Sequence, residues 1–135
     1  MAILPESTID LYSVEFRSQP SLTWYIDKES NRISGEVDGL AAVRQAVEII
    51  LNIERFRWQI YKPYSGVQLD SLVGSSPSYA GAELQKRIQD ALTVDDRVTG
   101  ISDFTYSMRG TNMTASFTVN TVYGTFEAIS EVTLV

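Results

Sequence analysis

The chain has no histidine and no cysteine among its 135 residues. Those two absences exclude zinc sites built on Cys or His, haem with a His axial ligand, iron–sulfur clusters and disulfides. They also exclude Ser-His-Asp triads and Cys-His nucleophile pairs. Any chemistry would fall to carboxylates, Lys, Tyr, Ser or Thr, and no cofactor or metal is expected. Basic charge is scarce as well: 11 Lys and Arg face 17 Asp and Glu, so the net charge is −6. Proteins that bind nucleic acid or anionic membranes neutralise phosphates with clustered basic residues. Here those residues are scattered, and the densest group is Arg55, Arg57 and Lys62. Neither nucleic acid nor membrane is expected as a partner. Long apolar runs are missing too. The stretch around Val47 to Leu51 is interrupted by Glu48 and is far too short to span a bilayer. Met1 to Leu4 runs straight into Pro5 and Glu6, which does not read as a secretory signal.

What is present suits a globular domain. Hydrophobic residues are 44% and charged residues 21%, which argues against wholesale disorder. Residues 1–20 read as an N-terminal arm between Pro5 and Pro20, and residues 21–135 as a single α+β domain. Leu22 to Ile26 and Arg32 to Val37 flank a polar, turn-forming stretch and read as a β-hairpin. Asp38 suits the cap of a first helix, in which Leu40, Val43, Val47, Ile50 and Leu51 recur at helical spacing. That helix is expected to end near Asn52. Arg57 to Tyr61 is aromatic and β-branched and predicts a short strand. Val67 to Val73 predicts one helical turn closed by Gly74.

Ser76-Pro77 starts a second helix, with Leu84, Ile88, Ala91 and Leu92 as its buried stripe. Asp95-Asp96 follows as a loop. Val98–Met108, Asn112–Val122 and Thr125–Val135 are three strand-like runs separated by glycine-containing turns. Met113, Ala115, Phe117 and Val119 alternate with Thr114, Ser116, Thr118 and Asn120. Phe126, Ala128, Val132 and Leu134 oppose Glu127, Glu131 and Thr133. A period of two on a half-buried sheet explains both patterns. The expected fold is an arm and hairpin, then two main helices packed on a C-terminal three-stranded antiparallel meander.

Four features are candidate sites. Glu54-Arg55 lies between an apolar helix and an aromatic stretch, as a helix-terminal ion pair or as an arginine reaching a partner's carboxylate or main chain. Glu54 with Asp70, Asp95 or Asp96 is a possible carboxylate pair for glycoside hydrolysis, which needs two acids about 5–9.5 Å apart. Core packing explains most of Trp24, Tyr25, Trp58, Tyr61, Tyr64 and Tyr79, but Tyr and Trp are also favoured at interfaces, and the loop-like setting of Tyr64 and Tyr79 favours those two for one. The fourth is backbone. Thr133-Leu134-Val135 carries no Lys or Pro that would blunt a sheet edge. This strand is either central or covered by the arm, or it is an edge kept open for β-augmentation.

The ordered set of segments resembles a phage family. It comprises Arg32 to Leu40, the first helix, Asn52-Ile53-Glu54-Arg55, Tyr61 to Val67 and Leu69 to Gly74. Glu83 to Ile88 leading to Asp95-Asp96-Arg97-Val98 completes it. These residues are similar to those of the sheath-initiator, or baseplate wedge, family of contractile tails, and in particular to PBSX-type prophage baseplate proteins. The resemblance implies a non-enzymatic structural protein of a phage tail or tail-like particle, sited in the baseplate and assembled in the bacterial host cytoplasm. It implies wedge proteins and the tail sheath protein as partners, with tube or hub proteins as further candidates. Glu54 and Arg55 match the family's Glu-Arg motif and, with Tyr64, become expected wedge anchors. The wider family usually places a proline after that arginine, where this chain has Phe56. The last strand becomes the expected sheath-docking element: Thr125, Phe126, Glu127, Ala128, Ile129, Ser130, Glu131, Val132, Thr133, Leu134 and Val135. The alternative from another class is a lysozyme-like cell-wall glycosidase working through paired carboxylates.

Overall fold

A computed structural model of the chain describes residues 21–134. The expected arm, residues 1–20, and Val135 lie outside the described residues. The elements run β1 (Thr23–Asp27), β2 (Arg32–Val37), α1 (Gly39–Leu51), α2 (Pro77–Leu92), β3 (Val98–Arg109), β4 (Asn112–Thr121) and β5 (Gly124–Thr133). A short 3-10 turn, Asp70–Leu72, sits between the helices. This is the expected α+β order.

The helix start signals act locally. Asp38 is extended, and its carboxylate accepts from the Gly39 N–H at 2.7 Å, which satisfies one free donor of α1. The Ser21 hydroxyl donates to the same carboxylate, and these two bonds hold Asp38 below the usual Asp value. Asn52 closes the helix, its N–H turned back to Ile49 and Ile50. In α2, Pro77 occupies the first turn, where its missing N–H costs nothing. The Ser76 hydroxyl makes no capping bond, so proline carries that start signal alone.

Both helices cover one face of a sheet ordered β3-β4-β5, antiparallel throughout. β4 is central, and its alternation is the one expected: Met113, Ala115, Phe117 and Val119 are buried. On β5, Phe126, Ala128, Ser130 and Val132 turn inward, while Thr125, Glu127, Ile129, Glu131 and Thr133 are exposed. From α1, Val43 and Val47 meet this face, and from α2, Leu84, Ile88 and Leu92. Helix and sheet pack closely at Gly81. A Cβ there would fall 2.4 Å from the Tyr106 ring, so glycine is what lets α2 approach β3.

The hairpin β1–β2 is a separate two-stranded sheet. Such ribbons are marginal alone in water, and this one is tied to α1 by a side chain. The Gln45 amide donates to the Trp24 carbonyl at 2.8 Å, and its oxygen accepts from the Ile26 N–H at 3.0 Å. Gln45 thus imitates one residue of a neighbouring strand. Lys28 pairs with Glu48 beside it.

One expected element is absent. Residues 57–61 form turns, not a strand. Phe56 adopts a left-handed conformation (φ 68°), and the Tyr61 N–H closes a turn on the Trp58 carbonyl at 3.2 Å. Aromatic and β-branched residues favour strands only where a neighbouring strand and a packed face receive them. Here Trp58 and Ile60 are exposed, and no strand lies alongside among the described residues.

Candidate functional site

The chain after α1 is held in place by Glu54 and Arg55. Glu54 forms an isolated parallel bridge with Val67. Its carboxylate accepts from the Leu69 N–H at 2.9 Å and the Asp70 N–H at 3.1 Å. Those are the free donors at the start of the 3-10 turn, where a negative charge is favoured. The Arg55 N–H donates to the Val67 carbonyl, its Nε to Gly66 O at 3.2 Å, and its Nη2 to Tyr64 O at 3.4 Å. Gly66 is required at this crossing: its φ is +85°, and a Cβ would stand 2.3 Å from the Ile53 carbonyl. Glu54 and Arg55 therefore spend their polar groups on the backbone of residues 64–70. The expected helix-terminal ion pair between them is not formed. The signal for this arrangement is non-local, because both side chains bond main chain nine to sixteen residues further on.

The loop so held presents apolar side chains to solvent. Phe56 is 71% exposed, Trp58 57%, Ile60 85% and Tyr64 51%. Lys62 lies 5.7 Å from the Tyr64 ring centroid, and Arg57 pairs with Asp70. The idea that most of the candidate aromatics are core residues fails. Trp24, Tyr25, Trp58, Tyr61, Tyr64 and Tyr79 are all exposed, the first five because the hairpin and this loop stand off the sheet. Tyr79 lies on α2 rather than in a loop.

The second candidate is the margin of the sheet. β5 pairs with β4 on one side and with no strand on the other among the described residues. Its ten partners, from Asn112↔Thr133 to Thr121↔Gly124, follow without a break. The direction of its backbone groups follows from one bond. The Leu134 N–H donates to Thr111 O at 2.9 Å, across the sheet toward β4. Groups on a strand alternate sides, so Phe126, Ala128, Ser130 and Val132 bond β4. The N–H and C=O groups of Thr125, Glu127, Ile129, Glu131 and Thr133 then point outward along the free edge. One expectation about this strand needs correcting. The edge does not continue through Leu134, whose carbonyl accepts from the Gly74 N–H at 2.6 Å and whose side chain is buried. Val135 lies outside the described residues.

The proposed carboxylate pair is committed elsewhere. Both Glu54 oxygens accept backbone N–H groups, and Asp70 faces Arg57. Asp95 receives two bonds from the Arg97 guanidinium, at 2.9 and 2.7 Å, and one from the Arg97 N–H at 3.0 Å, with both side chains largely buried. That guanidinium holds the Asp95 carboxyl below its ordinary value. Among the described residues no cluster of three or more acidic side chains is arranged to hold a metal ion, and no helix is long and apolar enough to cross a membrane.

Residues 22–124 match the family model described as contractile injection system sheath initiator. The chain belongs to the contractile injection system sheath initiator family. It is also 35% identical to the phage-like element PBSX protein XkdS of Bacillus subtilis (strain 168), over 94% of each chain. Membership makes the protein a structural component of a contractile phage tail, and a sheath initiator's role implies contact with tail sheath and baseplate components. In this sheath initiator the Glu-Arg pair is a loop staple within the chain. Sequence reasoning missed Gln45, Phe56 and Ile60, and it placed Trp58 behind Tyr64 and Tyr79 as an interface residue. No local pattern marks Gln45, whereas the turn-forming Lys62-Pro63-Tyr64-Ser65-Gly66 that closes the stretch is a signal against a strand in a chain this aromatic.

Proposed function

We propose that this chain links the baseplate wedge to the first sheath ring of a contractile tail, receiving a sheath strand on the β5 edge. The observation that carries the reading is the unbroken register of β5, whose outward N–H and C=O groups have no strand partner among the described residues. Main-chain bonds of this kind supply affinity in β-augmentation. The wedge contact falls to the loop of residues 56–64, with Glu54 and Arg55 setting its shape and Phe56, Trp58, Ile60 and Tyr64 offering apolar area. The particle is a virion tail or tail-like assembly, put together in the host cytoplasm, and the reading includes no catalytic step.

Deleting β5 would be a poor test, since Val132 is a core residue and Phe126 and Ala128 pack against the core. Ile129→Pro is better. The Ile129 N–H points to the free edge, so proline blocks a new strand without removing a ladder bond to β4. Electron microscopy of particles carrying Ile129→Pro should show tubes with baseplates but no sheath. Normally sheathed particles, with the variant present and folded, would sink the reading.

A further inference from the structure

Resting on the reading of β5 as a docking edge, the geometry points to the chemistry of the strand it receives. We propose that this strand carries two basic residues flanking an aliphatic one on its outward face, in the pattern basic–x–aliphatic–x–basic.

The outward residues of β5 at the middle of the edge are Glu127, Ile129 and Glu131. Residues directly opposite one another on paired strands share a face, with Cβ atoms about 4.5–5.5 Å apart. A strand added along this edge sets its outward side chains beside these three. Neither glutamate forms an ion pair among the described residues. Across β4 their neighbours are uncharged: Thr118 faces Glu127, Ser116 faces Ile129, and Thr114 faces Glu131. Ile129 is 65% exposed, and an aliphatic partner would cover it. Opposite charges across strands attract and like charges repel. The order Glu-Ile-Glu reads the same in both directions, so the pattern holds for a parallel or an antiparallel arrival.

The inward side of the added strand meets a different wall. A groove of about 490 Å³ lies along Phe126–Glu131, bounded on its far side by Arg44, Glu48 and Leu51 of α1. Charge there is already matched, with Lys28 on Glu48 and Arg44 stacked 5.9 Å from the Phe126 ring centroid. Selection by charge thus belongs to the outward face. The chain's own residues 1–20 do not carry the pattern, since Arg17 is their only basic residue.

The test uses the full chain and three seven-residue peptides of threonine around a central valine. They differ only at the two positions flanking valine on its own face, which are lysine, threonine or glutamate. Titrations are followed by NMR shifts of the β5 amides. Each cross-strand charge pair is worth about 0.2–1 kcal/mol, so the lysine peptide should bind about tenfold tighter than the glutamate peptide at low salt. The gap should shrink at high salt. In the exposed double variant Glu127→Lys/Glu131→Lys the order should invert. Equal binding of all three peptides at the edge amides overturns the charge pattern and leaves augmentation standing. No shift with any peptide at millimolar concentration overturns both. Slow hydrogen exchange at Glu127, Ile129 and Glu131 in the free chain, lost on removing residues 2–19, would put the chain's own arm on the edge and overturn the proposal.

Discussion

The sheet has two margins, and they are built differently. β3 is twelve residues long, yet its register with β4 breaks twice, between Val98 and Gly100 and between Ser102 and Thr105. At the second break Asp103 turns left-handed (φ 54°), which kinks the strand. The start of β3 follows the Asp95–Arg97 pair, and the Arg97 carbonyl accepts from the Val122 N–H at 3.0 Å. β5 has none of these breaks. Sheets ordinarily blunt their margins with bulges, Lys or Pro, because a straight open edge invites other chains. Among the described residues one margin of this sheet follows that practice and the other does not. Length and composition do not separate the two; continuity of register does.

The strongest way to break the contrast is to remove what both margins share. Phe117, in the central strand, is 2% exposed and stacks with Phe104 at 6.2 Å between centroids. Phe117→Ala should cost about 3–5 kcal/mol in chemical denaturation, with both margins lost in one transition. Next is a pair of prolines one residue apart. The Ala128 N–H bonds β4, so Ala128→Pro leaves a carbonyl unpaired and should cost about 1–3 kcal/mol. Ile129→Pro lacks only an outward N–H and should lower the melting temperature much less. Equal losses from the two would show that the direction assigned to the edge groups is wrong.

A smaller effect sharpens the β3 side. The Asp95 carboxyl titrates below its ordinary value of 3.8 because Arg97 bonds it. A depressed folded pKa gives stability that is present above the unfolded pKa and lost as pH falls toward the folded one. Asp95→Asn should therefore be less stable than the native chain at pH 7, by about 1–2 kcal/mol. Denaturation series should show the gap closing as pH drops below 3.8. A gap that persists unchanged into acid would mean that the pair does not anchor the start of β3.

Much of this fold is legible in the residues alone. The meander is readable because Met113, Ala115, Phe117 and Val119 alternate with polar residues, and a period of two admits one structure. The helices are readable from Asp38, Pro77 and their apolar stripes. Residues 57–61 mislead because strand preference is a statement about neighbours, and none among the described residues receives Trp58 and Ile60. The candidate site is legible only in outline. Alternation says which face each β5 residue takes, but not which backbone groups face β4 or whether β5 is an inner strand. Glu54 and Arg55 draw attention as charges near apolar segments, yet their partners are main-chain groups that no side-chain pattern encodes.

The bond between the Gly74 N–H and the Leu134 carbonyl has a mechanical consequence. A strand pulled from a loose end peels, breaking one bond at a time, whereas a strand pulled along its axis strains all its bonds together. β5 is closed at one end by the Val122-Tyr123 turn and at the other by Leu134, fastened to Thr111 and Gly74. Neither end offers a place for peeling to begin. In the proposed docked arrangement, a neighbour tugging along this strand would shear ten paired residues at once, and the tether would pass that tension to the turn that leads into α2.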